Sequence, residues 1–293
     1  MAQSQGKAFR LLIEQNSPLQ IVGTINAYAA MLAQETGCKA IYLSGAGVAN
    51  ASYGLPDLGM TSLPEVLEDA RRITQASNLP ILVDIDTGWG HVFNIARTIK
   101  LMELANVAAI HIEDQDLNKR CGHRPKKIIV STQIMLDRIK AAVDARVNPD
   151  FVIMARTDAY AVEGMNAALD RAAAYIEQGA DMIFPEAMRS LAEYRQFCVQ
   201  IKVPVLANVT EFGCTPLFTK EELDDVGIKI ILYPLSGFRA MAKATLMVYT
   251  AIQTQGTQQA VLDMMQTREK LYDILGYREY EKKLDQIMED VNG

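Results

Sequence analysis

The segment PILVDID (residues 80–86) opens with aliphatic residues and ends on two aspartates. Its near-continuous β-branched and aliphatic content is typical of a strand that is buried on both faces of a parallel sheet. Seven further runs have the same character, and they read LQIVGTIN (19–26), KAIYLSG (39–45), AAIHIED (108–114), FVIMARTD (151–158), DMIFPEA (181–187), VPVLAN (203–208) and KIILYP (229–234). The sequence therefore predicts eight parallel strands.

The connections between these runs are long enough for helices. Three of them are helix-like: residues 62–77 carry apolar residues at helical spacing, residues 131–146 open with a serine that could cap a helix, and residues 164–180 end with a glycine in the C-terminal stop position. Eight strand–helix units in about 235 residues predict a (β/α)8 TIM barrel. We expect one α/β domain over residues 1–293, with an N-terminal helix and with residues 236–293 as the last barrel helix plus a helical C-terminal extension. A doubly wound open sheet is the alternative, although its GxGxxG motif is only weakly matched by LSGAGVA after the second strand.

Composition excludes several classes of partner. The formal charge of −6 argues against nucleic acid, and no apolar run approaches the roughly 18 residues of a membrane span. The four cysteines form no CxxC pair, and no signal-peptide pattern opens the chain. We expect a cytoplasmic protein with free thiols that binds neither nucleic acid nor membrane.

Carboxylates follow two neighbouring strand segments. Asp84 and Asp86 are two residues apart on one strand, so their side chains share a face, and Glu113 ends the next strand. Active sites of barrels lie at the carboxyl ends of the strands. Three carboxylates there would repel one another unless they bind a cation or protons. The pattern favours a Mg²⁺ site over the alternative, in which the aspartates only cap helices.

Other polar residues also fall at strand ends, namely Ser44, His111, Arg156, Asp158, Glu186 and Asn208. Arg156 and Arg239 could bind an anionic substrate, because guanidinium groups pair well with carboxylate and phosphate. For Arg156, a structural salt bridge with Asp158 or Glu186 is an equally open interpretation.

The polar segment after the fourth strand contains the basic stretch NKRCGHRPKK (118–127) around Cys121. A connection of this length predicts a mobile lid, over residues 115–130. Neighbouring cations lower the pKa of a thiol, so we expect Cys121 to favour the thiolate and to act as an acid or base. A solvated surface turn is the alternative.

These motifs resemble those of the isocitrate lyase and phosphoenolpyruvate mutase superfamily. KRCGH (119–123) is similar to its signature loop, and the other matching stretches follow in the family's order over nearly the whole chain: YLSGAGVA (42–49), LPDLG (55–59), DIDTGWG (84–90), HIEDQ (111–115), ARTDA (155–159), FPEA (184–187) and NVTEFG (208–213). The large insertion of isocitrate lyases proper is absent. The resemblance is therefore closest to the short-chain branch that acts in the methylcitrate cycle of propionate catabolism.

The resemblance implies a Mg²⁺-dependent lyase that cleaves the tricarboxylate 2-methylisocitrate to pyruvate and succinate, with isocitrate or a related 2-hydroxy acid as the alternative substrate. Asp84 and Asp86 would hold the metal, with Glu113 close by, and Cys121 would protonate the carbanion. Tyr42, Glu113 and a metal-bound hydroxide remain candidates for removal of the hydroxyl proton. The family also implies a homotetramer with swapped C-terminal helices. The implied substrate contacts are Ser44, Gly45, Ala46, Gly122, Arg156, Glu186, Asn208, Val209, Thr210, Arg239 and Arg268.

Overall fold

Eight parallel strands form a single sheet in the computed structural model, which describes residues 3–292 and the side chains through residue 288. The strands are β1 (Leu19–Gly23), β2 (Ala40–Leu43), β3 (Ile81–Asp84), β4 (Ala109–Glu113), β5 (Val152–Thr157), β6 (Met182–Pro185), β7 (Leu206–Asn208) and β8 (Ile230–Tyr233). Their order is β6-β5-β4-β3-β2-β1-β8-β7. A parallel bridge between Ile183 and Val205 links β6 to the start of β7, so the barrel is nearly closed. The (β/α)8 prediction is confirmed and the open-sheet alternative is wrong.

Helices follow the strands around the outside. They are α1 (Gln5–Gln15), α2 (Ala27–Glu35), α3 (Gly45–Gly47), α4 (Leu63–Ala76), α5 (Val92–Leu104), α6 (Thr132–Ala145), α7 (Ala159–Glu163), α8 (Met165–Glu177), α9 (Leu191–Gln200), α10 (Lys220–Asp225), α11 (Ser236–Gln255), α12 (Arg268–Leu275) and α13 (Tyr277–Asn292). A π-helical turn (Val48–Ser52) follows α3, and a 3₁₀ helix (Gln259–Met264) precedes α12.

The helix boundaries follow local capping chemistry. The helix predicted over 62–77 is α4, where Ser62 and Glu65 form a reciprocal capping box. The helix predicted over 131–146 is α6, where the Ser131 hydroxyl accepts a hydrogen bond from Ile134 N. The third prediction, over 164–180, corresponds to α8, and Gly179 follows its end with a φ of +108°.

Alternation along the strands divides the apolar residues into two layers. One set, including Val83, Ile85 and Ile110, packs between the strands and the helices. The other set fills the barrel interior and includes Leu82 and Met154. Both layers are fully buried, which is why the strands read as continuous apolar runs.

Helix α1 packs at the amino-terminal ends of the strands. Phe9 belongs to the interior cluster, and Arg10 donates to Asp150 O at 2.9 Å and pairs with Asp181 at 2.8 Å. A Cβ on Gly6 would lie only 2.4 Å from Asp150 O, so this close approach requires glycine. The N-terminal helix is thus confirmed, and it covers the end of the barrel opposite the strand-end polar residues.

The chain divides into two compact units, Met1–Phe238 and Arg239–Gly293. The first contains the whole barrel sheet. The second contains most of α11 together with α12 and α13, which confirms the helical C-terminal segment. The single-domain assignment stays a prediction. Over residues 3–292, no helix is long and apolar enough to cross a membrane.

Candidate active site

The barrel interior changes from apolar to polar along the strands. Every second side chain points inward, and on five strands the last apolar interior residue is followed two positions later by a polar one. Along the strands, these inward-facing series are Leu82 then Asp84; Ala109 then His111 and Glu113; Met154 then Arg156 and Asp158; Phe184 then Glu186; and Leu206 then Asn208. The strand-end residues predicted from the sequence therefore gather at the carboxyl-terminal mouth.

Asp84 and Asp86 converge on the backbone of Gly45. The Gly45 N–H donates to Asp84 Oδ2 at 3.1 Å, and a Cβ on Gly45 would lie 3.1 Å from Asp86 Oδ1. Asp86 has a φ of +50°, a left-handed conformation that few residues with side chains adopt and that recurs at functional sites. Gly45 was expected to donate to substrate; in this structure its N–H is engaged by Asp84, and its missing side chain makes room for the two carboxylates.

Glu113 is fully buried beside this pair. Its N–H donates to Asp86 O at 2.9 Å, yet neither carboxylate oxygen accepts a hydrogen bond from any group that the structure describes. The nearest cation is Arg156, 3.4 Å away. Burial raises the pKa of Glu113 to about 8 and that of Asp86 to about 6. The two raised pKa values show that nearby cations offset only part of the cost of burying these carboxylates in their charged form.

The donor set fits a magnesium ion. Within the described residues, no group of three or more His, Cys, Asp and Glu side chains forms a ready cage for a metal. Mg²⁺ does not require one, because it takes one or two carboxylates and keeps several waters. Asp84 and Asp86 supply the carboxylates, although Lys119 is the cation that pairs with Asp86 in this structure. The oxygens of Glu113, which accept no hydrogen bond within the described residues, can accept hydrogen bonds from such waters. Magnesium binding stays a prediction.

Tyr42 forms a buried contact with His111 and Asp84. Its hydroxyl lies 2.9 Å from His111 Nε2 and 3.5 Å from Asp84 Oδ2. Burial lowers the pKa of His111 to about 4 and raises the pKa of Tyr42 well above its usual value. Tyr42 therefore holds its proton at neutral pH, which weakens it as a candidate base and leaves Glu113 and a metal-bound hydroxide.

Arg156 lies among three carboxylates. Its guanidinium is 3.0 Å from Asp158 and 3.4 Å from each of Glu113 and Glu186. It also packs 5.1 Å from the centre of the Phe184 ring. Both salt bridges considered in the sequence interpretation are present, and they hold the guanidinium at the mouth; a contact with substrate stays a prediction.

The lid, residues 115–130, lies across the mouth. A Cβ on Gly122 would be 2.4 Å from Arg156 Nη2 and 2.5 Å from Glu186 Cγ, so the lid backbone touches the site. The two ends of the lid are joined by an antiparallel bridge between Gln115 and Ile129. Arg138 fixes this base by donating to the carbonyl oxygens of Glu113 and Gln115, at 2.9 and 2.8 Å.

Two lid lysines point inward and pair with carboxylates. Lys119 forms an ion pair with Asp86 and lies 3.0 Å from Asp57. Lys127 pairs with Asp158 and donates to Gly122 O at 2.6 Å. Both ammonium groups are therefore neutralised by carboxylates.

This pairing changes the expected state of Cys121. Burial raises the pKa of its thiol, and the charges of Asp57 and Glu186 act in the same direction. The expectation of a favoured thiolate is wrong, because burial is the largest influence on this pKa and because Lys119 and Lys127 are paired with carboxylates. At neutral pH the lid presents a protonated thiol.

His123 links the lid to two further loops. Its Nδ1 accepts a hydrogen bond from Cys214 N at 3.0 Å, so Nε2 carries the proton and faces Glu186 Oε1 at 2.9 Å. Asn208 donates to Glu186 Oε2 at 3.3 Å. Sequence reasoning gave no role to Asp57 and counted Lys119 and His123 only as basic neighbours of Cys121, although all three lie inside the motifs LPDLG and KRCGH that carried the resemblance.

The remaining predicted substrate contacts have different surroundings. Ser44 and Thr210 are buried, and Ala46 is half-buried in α3. Val209 follows the inward-facing Asn208, so its side chain packs in the outer apolar layer and its N–H donates to Leu232 O. Two further predicted contacts, Arg239 and Arg268, belong to the second unit, and their contact with substrate stays a prediction.

Comparison with known families agrees with this arrangement. Residues 9–253 match the family model described as phosphoenolpyruvate phosphomutase. The chain belongs to this family. A curated 2-methylisocitrate lyase of Shewanella oneidensis is 62% identical over 287 residues, which cover 98% of each chain. With such relatives over nearly its full length, this family member is a lyase.

Solved structures of the family share the fold at lower identity. A 2,3-dimethylmalate lyase superposes with a TM-score of 0.90 at 32% identity, covering 98% of this chain and 96% of that chain. A phosphonopyruvate hydrolase, described as a complex with oxalate and Mg²⁺, gives a TM-score of 0.84 at 26% identity, with 96% and 98% of the chains covered. The family's barrel thus supports more than one reaction, and the fold alone does not choose among them.

Proposed function

We propose that this chain is a Mg²⁺-dependent lyase that cleaves 2-methylisocitrate to pyruvate and succinate, as a step of the methylcitrate cycle in propionate catabolism. The observation that carries the proposal is a difference in sequence identity between two kinds of relative. Relatives named 2-methylisocitrate lyase are 62% and 61% identical over 98% of the chain, whereas the dimethylmalate lyase with the same fold is 32% identical. The protonated thiol above a carboxylate mouth supports the same reaction.

Cleavage starts with loss of the substrate's hydroxyl proton. Glu113 is the base we favour, because its buried oxygens accept no hydrogen bond from the described residues and its raised pKa makes the carboxylate a stronger base than an ordinary one, while a cation bound beside it would favour the ionised form. As the proton leaves, the oxygen forms the pyruvate carbonyl and the adjacent carbon–carbon bond breaks. The bonding electron pair then moves onto the succinate portion as an aci-carboxylate.

Cys121 completes the reaction by giving its proton to that carbon. A thiol with a raised pKa is protonated when the lid closes, as a proton donor must be. Gly122 brings the lid backbone against Arg156 and Glu186, so closure excludes water from the carbanion. Solvent can restore the proton on Cys121 and remove the one from Glu113 once the lid opens.

Different charged residues of the site would bind different parts of the substrate. Arg156 is the guanidinium available to the carboxylate beside the hydroxyl group. Asp84 and Asp86 would hold Mg²⁺, with Glu113 close by, and the ion when bound would act as a Lewis acid that stabilises negative charge on the hydroxyl-bearing end. The related phosphonopyruvate hydrolase, described with oxalate and Mg²⁺, supports the metal assignment.

A product assay tests the proposal. Enzyme and Mg²⁺ are mixed separately with 2-methylisocitrate and with isocitrate, and pyruvate, glyoxylate and succinate are measured. We expect pyruvate and succinate from the methylated acid, with loss of turnover in EDTA and recovery on addition of Mg²⁺. Because one methyl group is worth about 1–3 kcal/mol in a pocket, some glyoxylate from isocitrate is compatible. An equal or greater rate with isocitrate would contradict the substrate assignment.

We also propose a cytoplasmic homotetramer in which C-terminal helices are swapped. In the second unit, Leu246 is 67% exposed and Tyr249 is 66% exposed, although both are large and apolar. Only Ala251 is buried on α11, so this helix lacks the covered face that a stable surface helix has. Light scattering should give four chains, and Leu246→Glu with Tyr249→Glu should reduce that number; an unchanged tetramer would contradict the swap. The four free cysteines fit a reducing compartment.

A further inference from the structure

The basic stretch of the lid has two faces with different partners. Lys119 and Lys127 are buried against carboxylates of the mouth, as described above. Arg124 and Lys126 are exposed instead, and neither has an ion pair among the residues that the structure describes. These two charges are not used by the proposed reaction.

Arg124 and Lys126 line a cavity of about 370 Å³ on the outer side of the lid. Its opposite wall contains Arg189, from the loop after β6, and Cys214, from the loop after β7. The carboxylates of the mouth are not among its lining residues, and Gly122 is the predicted substrate contact that it shares with the mouth. Its volume lies in the usual range for small-molecule sites.

The charged residues that line this cavity are all basic. Arg189, like Arg124 and Lys126, has no ion pair in the described part of the chain, and no acidic residue is among the residues that line the cavity. The nearby carboxylate of Glu193 is already engaged by the N–H groups of Arg189 and Ser190 and by the Tyr160 hydroxyl. In a chain with net charge −6, three uncompensated cations around one concavity are an unusual concentration.

The backbone holds one of these cations in a costly conformation. Lys126 has a φ of +64°, in the left-handed region that residues with side chains seldom adopt. Such a conformation is unfavourable for a residue with a side chain and persists where the surrounding structure imposes it. Here the following residue, Lys127, is fixed by Asp158 and by Gly122 O, so the turn keeps Lys126 at the cavity.

We propose that this cavity binds a small polyanion, with phosphate or carboxylate groups, and that the bound anion holds the lid closed. Guanidinium groups form bidentate pairs with both kinds of anion. Arg124 and Lys126 belong to the lid, whereas Arg189 belongs to the barrel loops, so the three cations surround one ligand only while the lid covers the mouth. A ligand that binds the closed state more tightly shifts the equilibrium towards that state.

Calorimetry with pyrophosphate and with citrate tests the site. The titrations use Mg²⁺-free buffer at fixed ionic strength, with saturating succinate to occupy the substrate site. We expect one anion per chain, and Arg189→Glu should raise its Kd by about tenfold or more, since it replaces an attraction by a repulsion. The matched control is Arg97→Glu, an equal charge change at an exposed position of α5, which should leave the Kd unchanged.

The two anions distinguish the ligand chemistry. Tighter binding of pyrophosphate assigns a phosphate-bearing ligand, and tighter binding of citrate assigns a polycarboxylate. Equal effects of Arg189→Glu and Arg97→Glu, or no binding of either anion below about 10 mM, would overturn the site.

Alkylation of Cys121 tests the effect on the lid. Iodoacetamide labelling is followed by peptide mass spectrometry, with Cys38 as the internal reference. The anion that binds should slow labelling of Cys121 by about fivefold or more in the natural chain and not in Arg189→Glu. Unchanged labelling at saturating anion would overturn the lid effect. Neither readout requires turnover, so both remain informative even if the proposed lyase reaction is wrong.

Discussion

Lys127 of the lid and Asp158 at the end of β5 form a buried ion pair that joins the lid to the barrel. The same carboxylate accepts a hydrogen bond from Arg156 Nε at 3.0 Å. Asp158 therefore fixes the lid and the guanidinium of the site together.

The first prediction concerns this pair. Lys127→Met should lower kcat/KM by about a hundredfold, which corresponds to about 2.7 kcal/mol. Removing one partner of a buried pair usually costs about 3–5 kcal/mol of stability, but an open lid lets water reach Asp158, so we expect Tm to change by only about 2 °C. The neighbouring Lys126→Met is the matched control and should retain wild-type turnover. Wild-type kcat/KM in Lys127→Met would show that the lid closes without this pair.

The second prediction concerns the contact of the lid backbone with the site. In Gly122→Ala, the added methyl would lie 2.4 Å from Arg156 Nη2 and would hold the lid away. We expect kcat to fall by about a hundredfold or more with an unchanged Tm. Gly237→Ala is a suitable control, because the nearest atom to its Cβ is 4.0 Å away. Normal turnover in Gly122→Ala would mean that catalysis does not need this closed position.

The third prediction separates chemistry from binding. Cys121→Ser should lower kcat by about 10²–10⁴, the usual contribution of a positioned acid, because a hydroxyl is a much weaker proton donor. Succinate binding, measured by calorimetry, should stay within about threefold, since the volume change is small. Cys38→Ser controls for loss of a thiol far from the lid. If Cys121→Ser kept more than about a tenth of the activity, the proton would come from another group.

The fourth prediction follows from the raised pKa of the Cys121 thiol. Burial favours the neutral form, so the thiolate fraction at any given pH is lower than for an ordinary cysteine with a pKa near about 8.5. The rate of iodoacetamide labelling at Cys121 should therefore rise about tenfold per pH unit from pH 7 to 9 without levelling off. A plateau below pH 8 would contradict the protonated thiol.

The sequence predicted the mouth of the barrel better than it predicted the lid. Along a strand, side chains alternate strictly, so an apolar run that ends in Asp84 and Asp86 specifies which face carries both carboxylates. The position of Glu113 follows from the parallel order of neighbouring strands. The same alternation accounts for Val209: because it follows the inward-facing Asn208, its side chain lies on the outer face.

The lid is not a strand, so its side chains do not alternate regularly between two faces. Lys119 is 6% exposed and paired with Asp86, whereas the adjacent Arg120 is exposed, and no local pattern distinguishes them. The side-chain directions depend on contacts with residues far along the chain, such as Asp57 and Asp158. The pKa of Cys121 depends chiefly on burial and also on distant residues such as Asp57 and Glu186, which is why counting neighbouring charges gave the wrong direction.

The bridge between Gln115 and Ile129 has a consequence for the speed of the lid. Because the two ends are already paired, the entropy of bringing them together is lost once, when the chain folds, and not at every turnover. Each closure then orders only the short segment between them. The barrel can in this way seal its mouth completely and still release products without unfolding the lid's base.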